Sequence, residues 1–378
     1  MPSLKQIVAR ETALFLAFTA GDLSAWTVPY TLFAVGSAPV SASASLSSST
    51  GTAVSLIAAA ALLLPALWTT LFLYAYTLFT QALSPDEDRL NKPHRPVPAG
   101  LVSPCGALAR CLAVAVAHLA LSTYSGVAHD ALLAAGATVW AAMTTTMRWG
   151  GGHWLGKNTL ALGATVVAML SGASGVARSS CPCTVPTTPG SPYGHGYNVG
   201  RGRPGVGDNA VDVVTTRHVL GLGVYAALAV HMQDLRDQDG DAAAGRRTLP
   251  LVLGDGPARL VMALVLVPAA WAVATTTLST LAMDLRVPSW PAAAVFVVVV
   301  VAALHGLLCW RLLARRTRAA DHDTHMIGTY IFCLLTALSS LERLGVVTSM
   351  RPAENAVIHA MSLRGAMTTV LDLLFTKK

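Results

Sequence analysis

The chain has 378 residues, of which 53% are hydrophobic and only 12% are charged, and its mean hydropathy is +0.55. Soluble domains carry about a quarter charged residues, so this composition excludes an ordinary soluble protein and indicates one that crosses a membrane several times. The net charge of +7 gathers in loops between apolar runs. Membrane topology therefore explains the basic excess, and no nucleic acid is needed.

Apolar runs that are long enough to cross a bilayer recur along the chain. A β-barrel would alternate with a period of two in segments of about ten residues, whereas residues 53–83 are apolar on every face. Because a spanning helix needs about 20 apolar residues, the sequence predicts an all-α integral membrane protein with about nine transmembrane helices. The predicted spans are 12–36, 53–83, 102–122, 130–147, 157–177, 216–234, 257–280, 287–310 and 325–347.

The spans divide the chain into a transmembrane region and a tail. Residues 1–350 form the predicted catalytic region, and residues 351–378 form an amphipathic tail that is too polar to span. Residues 178–214, between the fifth and sixth spans, are rich in Gly and Pro and are predicted to be a flexible loop. Lys and Arg are concentrated in the loops after the even-numbered spans, which places those loops in the cytosol.

The densest group of charges follows the sixth span, in the stretch HMQDLRDQDGDAAAGRRTLP at 231–250. A helix continuing from the span would carry three aspartates on one face, because they are spaced i, i+3 and i+7. Neighbouring carboxylates repel one another unless a cation compensates them. Oxygen-only ligands favour Mg²⁺, which takes its remaining ligands from water and substrate phosphates. The predicted ligands are Asp234, Asp237 and Asp241, and the predicted phosphate-binding residues are Arg246 and Arg247.

Another acid-then-base cluster ends the second span. Its acids are called the first acidic motif, and the three aspartates after the sixth span are called the second acidic motif. Glu87 and Asp88 are predicted metal ligands, and Gln81, two turns before Asp88, is predicted to point into the same site. The predicted diphosphate-binding residues that follow are Asn91, Lys92 and Arg95. Either cluster alone is explained by a solvated loop. Two clusters at corresponding helix ends predict one shared site for Mg²⁺ and a diphosphate.

Further candidates come from a loop motif and from aromatic side chains. The motif HWLGKN at 153–158 offers Lys157 and Asn158 to the diphosphate, although interfacial aromatic residues are common in membrane proteins. Four aromatic residues, Tyr74, Tyr76, Phe79 and Tyr225, are predicted to line the cavity, where ring faces stabilise a carbocation. Packing against lipid or against the core is the alternative for all four.

Three motifs carry a resemblance to a known family. EDRLNKPHRPVPAG, HWLGKN and QDLRDQDGDAAAGRRTLPLVLGD resemble motifs of the UbiA superfamily of intramembrane prenyltransferases, and most closely its fungal branch of UbiA-type terpene cyclases. The family's first motif is Asn-Asp-x-x-Asp-x-x-x-Asp. With its last Asp on Asp88, the earlier positions fall on Thr80, Gln81 and Ser84, so one of the usual ligands remains. The resemblance implies a UbiA-type helical bundle around a central cavity.

The resemblance also implies an activity. It implies a membrane-embedded, Mg²⁺-dependent class I terpene cyclase, a lyase that ionises farnesyl diphosphate, cyclises the chain to a sesquiterpene and releases diphosphate. The alternative is a prenyltransferase that moves the prenyl group onto an aromatic or other acceptor. A transporter that uses intramembrane acids is a third alternative. It would place its carboxylates at mid-membrane in broken helices, whereas these carboxylates lie at helix ends beside arginines, which disfavours a transporter. The expected location is the endoplasmic reticulum membrane of a fungus or the plasma membrane of a bacterium, with the active site facing the cytosol.

Overall fold

The computed structural model describes residues 3–37, 51–124, 152–179, 206–283 and 290–349. Three predicted parts fall wholly or largely outside these residues: the span at 130–147, the loop at 178–214 and the tail at 351–378. In the described part, six helices are long and apolar enough to cross a membrane. The prediction of an all-α membrane protein is confirmed, and the count of nine spans stays a prediction.

The described helices are short at the charged ends of the bundle and long elsewhere. In chain order they are α1 (Leu4–Thr19), α2 (Thr27–Val35), α3 (Gly51–Leu83), α4 (Pro85–Asn91), α5 (Pro104–Tyr124), a π-helix (Leu155–Leu162), α6 (Gly163–Ser179), α7 (Val206–Ala229), α8 (Met232–Arg236), α9 (Gln238–Ala243), α10 (Leu249–Leu253), α11 (Asp255–Met283), α12 (Trp290–Ala314) and α13 (Arg318–Ser349).

The first predicted span, 12–36, is not one helix. Helix α1 begins at a Ser3 capping box and ends at Thr19, and a run of turns precedes α2. Asp22 lies in these turns, and its Oδ2 is 3.4 Å from Arg95 Nη2. The single span was wrong because the chain breaks where the Asp22 carboxylate pairs with Arg95, a partly buried residue from another segment. In an uninterrupted apolar helix, an acid at this position would be unfavourable without such a partner.

The centre of the bundle is formed by α2, α3, α6, α7 and α13, which pack against one another. Helices α6 and α7 approach closely because glycines face each other's helix. A Cβ on Gly223 would lie 2.4 Å from Val167 Cγ2, and a Cβ on Gly163 would lie 2.9 Å from Ala227 Cβ. Small residues allow this backbone approach in membrane bundles. On the outside, α5 and α12 expose apolar side chains such as Leu112 and Phe296, as lipid-facing helices do.

Candidate active site

A cavity of about 230 Å³ lies in the centre of the bundle and has a charged end and an aromatic end. The charged end is formed where α4, α8 and the segment after α9 meet the π-helix. Its charged lining residues are Asp22, Glu87, Asp88, Lys92, Arg95, Lys157, Arg236, Asp237 and Arg246. The cavity therefore brings most of the predicted charged residues together, from both acid-then-base clusters.

The second acidic motif forms two short helices, which corrects the prediction of one continuous helix. Helix α8 ends at Arg236, and Asp237, with φ −100° and ψ 9°, is the N-terminal cap of α9. The break does not expose the carboxylates, because Asp234, Asp237 and Asp241 are 0%, 7% and 1% exposed. All three predicted ligands are thus buried at the inner side of the motif.

Asp234 is held by the two polar residues of HWLGKN. These residues lie in the π-helix, a rare geometry that is frequent at functional sites. Lys157 Nζ donates to Asp234 Oδ1 at 3.3 Å, and Asn158 Nδ2 donates to Asp234 Oδ2 at 2.6 Å. Asn158 Nδ2 also lies 3.1 Å from His231 Nδ1. The predicted diphosphate ligands Lys157 and Asn158 therefore contact the second acidic motif directly.

Asp237 is compensated by two cations. Lys92 Nζ lies 3.1 Å from Asp237 Oδ2, and Arg236 Nε lies 3.4 Å from Asp237 Oδ1. Burial opposes ionisation of this carboxyl, but the two cations hold the pKa of Asp237 below its usual range. The first basic cluster thus supplies a counter-ion to the second acidic motif.

Asp241 is compensated least. Both of its carboxylate oxygens are buried without a hydrogen-bond partner. Lys157 Nζ and Arg246 Nε each lie 3.9 Å from Asp241 Oδ1, beyond hydrogen-bond distance. Burial consequently raises the pKa of Asp241 to about 7. A buried carboxylate with free lone pairs is an incomplete group that a bound cation would complete.

A Schellman turn after α9 directs Arg246 towards the cavity. Gly245 has a φ of +68°, the left-handed conformation that glycine adopts without strain. The N–H of Arg246 donates to Asp241 O at 2.8 Å, and the N–H of Gly245 donates to Ala242 O at 3.0 Å, which is the pattern of this motif. The guanidinium of Arg246 pairs with Glu87 on α4.

Arg247, the other arginine of the predicted clamp, has an exposed side chain and is not part of the cavity lining. Its backbone joins two segments instead. The N–H of Arg247 donates to Gly152 O at 2.7 Å, and its carbonyl accepts the N–H of Trp154 at 2.9 Å. This short parallel bridge anchors the start of the π-helix beside the second acidic motif.

The first acidic motif lies on α4, whose first turn holds Asp86, Glu87 and Asp88, where acids favour the positive end of the helix dipole. Asp86 is exposed and pairs with Arg89 on the same helix. Asp88 lines the cavity and accepts from Arg95 Nη1 at 3.1 Å. The two acids that reach the cavity, Glu87 and Asp88, are therefore each paired with an arginine.

Other predicted residues also lie outside the cavity lining. Asp234, Asp241 and Asn158 are buried beside the lining residue Lys157, and the others are Gln81, Asn91, Tyr74, Phe79 and Tyr225. Gln81 Oε1 accepts the N–H of Val97 at 3.4 Å, and Asn91 Oδ1 accepts the N–H of Gly240 at 3.2 Å. Tyr74 packs on Phe15, with ring centroids 5.1 Å apart, and the Tyr225 hydroxyl lies 3.2 Å from His305 Nε2. These side chains support neighbouring segments.

The aromatic end of the cavity contains Tyr76, which the sequence offered as a candidate, and three rings that it did not single out. Trp26 lies 5.7 Å from both Tyr30 and Tyr76, measured between ring centroids, and all three line the cavity together with Phe332. Asp22 was missed as well. An acid inside an apolar run is by default a functional candidate, and this signal was available in the sequence.

The donor chemistry of the site fits Mg²⁺. In the described part of the chain, no three Asp, Glu, His or Cys groups converge on one point as a complete cage. Mg²⁺ does not need such a cage, because it commonly takes one or two carboxylates and completes its shell with water and substrate phosphates. The two oxygens of Asp241 have no hydrogen-bond partner, and the neighbouring Asp234 pairs with the same Lys157 that lies near Asp241, so the two carboxylates meet that requirement.

Comparison with known proteins assigns the family. The model of the UbiA prenyltransferase family matches residues 38–334. The chain belongs to this family. Both acidic motifs and the π-helix of the cavity lie within the matched residues, and so does most of the helical bundle. The resemblance seen in the sequence motifs is confirmed.

Two fungal relatives and one solved structure illustrate the range of the UbiA family. The chain is 31% identical to the diterpene cyclase eriG of Hericium erinaceus, over 96% of this chain and 95% of the relative. It is 32% identical to the polyprenyl transferase eriF of the same fungus, over 92% of this chain and 100% of the relative. A UbiA homolog from Archaeoglobus fulgidus bound to DMAPP and Mg²⁺ shares the fold, with a TM-score of 0.53, 13% identity and 88% and 99% coverage.

Proposed function

We propose that the chain is a Mg²⁺-dependent terpene cyclase that ionises an isoprenoid diphosphate and closes the resulting cation into a terpene hydrocarbon. The observation that carries this proposal is the buried, unpartnered carboxylate of Asp241 beside Lys157 and Arg246. It lies next to the charged end of a cavity whose other end is aromatic. Such a site can bind the diphosphate as it leaves and protect the remaining carbocation from water.

Ionisation requires that the diphosphate be held and that its growing negative charge be compensated. Bound Mg²⁺ would supply Lewis-acid stabilisation of the leaving diphosphate. Asp234, Asp237 and Asp241 would hold it. Lys92 and Lys157, which now pair with these aspartates, have ammonium groups able to turn to phosphate oxygens.

Each cluster supplies one guanidinium group to the same diphosphate. Arg246 and Arg95 line the cavity, and each is paired with a carboxylate of α4. Guanidinium groups bind phosphate oxygens with two parallel hydrogen bonds. Glu87 and Asp88 would therefore orient these arginines and could contact the metal once the arginines turn to the diphosphate.

The carbon chain would lie towards the aromatic end. When the C–O bond breaks, both electrons leave with the diphosphate oxygen, and an allylic cation remains. The faces of Trp26, Tyr30 and Tyr76 can stabilise this cation, and an apolar chamber protects it from water. Attack by a double bond of the same chain forms a ring, and loss of a proton gives the neutral hydrocarbon.

Farnesyl diphosphate, a substrate of 15 carbons, is the substrate that we propose first, because the sequence motifs resemble those of sesquiterpene-forming cyclases. The similarity to a diterpene cyclase makes geranylgeranyl diphosphate, with 20 carbons, the second substrate to test. We further propose that the charged end faces the cytosol, since the basic loops lie at that end.

Prenyl transfer to an acceptor is the second candidate function. It is favoured by the match to the polyprenyl transferase, which is as similar to this chain as the cyclase and is covered over its whole length. Both reactions need the same ionisation, so the acidic motifs do not distinguish them. The fate of the cation distinguishes them.

The decisive experiment supplies no acceptor. Purified protein in lipid vesicles is incubated with farnesyl or geranylgeranyl diphosphate and Mg²⁺, and organic extracts are analysed by gas chromatography and mass spectrometry. A cyclic hydrocarbon, absent with EDTA and absent from an Asp241→Asn variant, supports the cyclase. No hydrocarbon, together with a prenylated product once an aromatic acid is added, would establish the transferase instead.

A further inference from the structure

A chain of polar contacts leads away from the acidic motifs and returns to them. Asn91, at the end of α4, accepts the N–H of Gly240 in α9 at 3.2 Å. Gln238, also in α9, donates from Nε2 to Oδ1 of Asp255 at the start of α11, at 3.3 Å. Arg318, at the start of α13, donates from Nη2 to the carbonyl oxygen of Asn91 at 2.9 Å. Helices α11 and α13 are thus both tied to the helices that carry the acids.

The contact between α11 and α13 closes the ring. Arg259 is 1% exposed, and its Nη1 and Nη2 donate to the two carboxylate oxygens of Asp321 at 2.6 and 2.8 Å. Its Nε donates to Asp255 at 2.9 Å, and Nη1 also reaches the carbonyl oxygens of Leu312 and Arg315. One guanidinium therefore fixes three helix ends, which only a planar fork with five donors can do.

None of the ring residues lines the cavity, but the ring connects the helices that carry the two acidic motifs. Helix α4 carries Glu87 and Asp88, and helix α9 carries Asp241. The two helices meet so closely that a Cβ on Gly240 would lie 2.3 Å from Asn91 Nδ2. A shift at either end of the ring would therefore move one acidic motif relative to the other.

A buried ion pair such as Arg259–Asp321 adds little net stability, because the desolvation of both charges opposes their attraction. Its directional hydrogen bonds fix geometry instead. Residues that orient metal-binding groups from behind affect metal affinity by about 10-fold to 100-fold when they are changed.

We propose that Arg259 and Asp321 are positioning residues that hold α4 and α9 at the spacing at which both acidic motifs engage one metal–diphosphate complex. This inference rests on the proposed function. The remaining contacts of the ring come from one exposed residue, Arg318, and from two partly buried residues, Gln238 and Asn91. Loss of any contact loosens the spacing without removing a group that touches substrate.

Two substitutions test the proposal at different depths. Arg259→Lys keeps the buried charge and removes the fork, and Arg318→Gln removes a surface contact to α4 with little risk to folding. The matched controls are Arg110→Lys, which breaks a similar fork to Glu11 between α5 and α1, and Arg315→Gln, whose side chain stacks on Trp310 outside the ring.

The readout is the Mg²⁺ concentration that gives half-maximal thermal stabilisation by farnesyl thiodiphosphate, an analogue that ionises very slowly, and kcat and KM are measured alongside. We expect Arg259→Lys to raise this concentration by about 10-fold and Arg318→Gln to raise it less. Arg110→Lys should lower the melting temperature without changing the Mg²⁺ requirement, and Arg315→Gln should change neither.

An unchanged Mg²⁺ requirement in both ring variants would overturn the positioning role, even if their melting temperatures fell. If Arg259→Lys does not fold, Arg318→Gln decides alone against Arg315→Gln. A wild-type protein that Mg²⁺ and the thiodiphosphate do not stabilise would instead overturn the proposed function, and the inference with it.

Discussion

The first acidic motif, on α4, and the second, on α8 and α9, face the same cavity with their carboxylates in different states. On α4, Asp86 is exposed, and Glu87 and Asp88 are each paired with an arginine. In the second motif all three aspartates are buried, and Asp241 has no hydrogen-bond donor on either oxygen. The chain itself compensates the acids of the first motif that reach the cavity, whereas the second motif is incomplete at Asp241.

The difference assigns separate tasks to the two motifs. An uncompensated buried carboxylate is unfavourable, so it marks the place that a cation from outside must occupy. A carboxylate already paired with a guanidinium holds that guanidinium in place. We therefore expect the second motif to make the essential metal contacts and the first motif to orient Arg246 and Arg95.

The largest effect is expected at Asp241. Asp241→Asn keeps the shape of the side chain but removes the charge, and kcat/KM should fall by more than about 100-fold, beyond the range seen for outer-shell residues. The melting temperature of the metal-free protein should not fall, because the charge that is lost is buried without a hydrogen-bond partner. The control is Asp86→Asn, which should stay within about twofold of wild type because it breaks only an exposed pair. Comparable losses in the two variants would contradict the division of tasks.

The next effect separates the two adjacent arginines. Arg246→Lys should lower kcat/KM by about tenfold or more, because a point charge replaces a two-point contact worth about 1.5–3 kcal/mol. Arg247→Lys keeps the backbone bridge to Gly152 and Trp154 and should have little effect. Steady-state assays of both variants in the same vesicles make the measurement. A larger loss for Arg247→Lys would show that its side chain turns inward when substrate binds.

A smaller effect is expected at the turn that aims Arg246. Gly245→Ala forces a Cβ into the left-handed region and should destabilise the protein by about 1–2 kcal/mol. Gly100→Ala is the control, because Gly100 has a similar φ of +74° and also has open space around its Cβ position. Both variants should melt earlier, as followed by thermal unfolding in detergent, but only Gly245→Ala should raise KM. Equal KM values in the two variants would show that the turn at Gly245 does not position Arg246 for substrate binding.

The smallest effect is a pH dependence of stability in the absence of metal. Burial raises the pKa of Asp241 to about 7, from about 4 in the unfolded chain. Protonated Asp241 favours the folded state, so its contribution is complete below about pH 4 and is lost as the pH rises through about 7. Melting curves in EDTA should therefore show a decline for wild type that Asp241→Asn lacks.

Asp237 contributes to the pH dependence of stability with the opposite sign, because its pKa is lowered. Asp237 is present in both wild type and Asp241→Asn, however. The difference between the two melting profiles therefore isolates Asp241. Parallel profiles across this pH range would mean that Asp241 already has a partner in the free protein, and would remove the contrast between the motifs.

Much of the architecture followed from composition and spacing. Long apolar runs predicted α3, α5, α11, α12 and α13 because burial in lipid requires about 20 apolar residues in a helix. The errors fall where the chain leaves regular helix. The breaks at Asp22 and Asp237 were missed because each depends on a cation from the segment that follows α4, Arg95 in one case and Lys92 in the other.

The sequence predicted the types of residue that form the site better than it predicted where their side chains point. Of the two neighbouring arginines, only Arg246 lines the cavity, because Gly245 turns the chain between α9 and the π-helix bridge. Gln81 has the right residue type but contacts the backbone of Val97, since α3 ends just beyond it at Leu83. Such orientations arise from turns and contacts between segments far apart in the chain.

The sequence by itself determined that this protein is a helical membrane protein with two acid-then-base clusters suited to a metal and a diphosphate. Those conclusions need only hydrophobicity, charge and local spacing, which are properties of neighbouring residues. Only the tertiary structure decided which carboxylates are compensated, which aromatic rings line the cavity and that Arg259 and Asp321 tie α11 to α13. Each of these depends on groups brought together from distant segments, and burial strengthens or penalises their charges only once that packing exists.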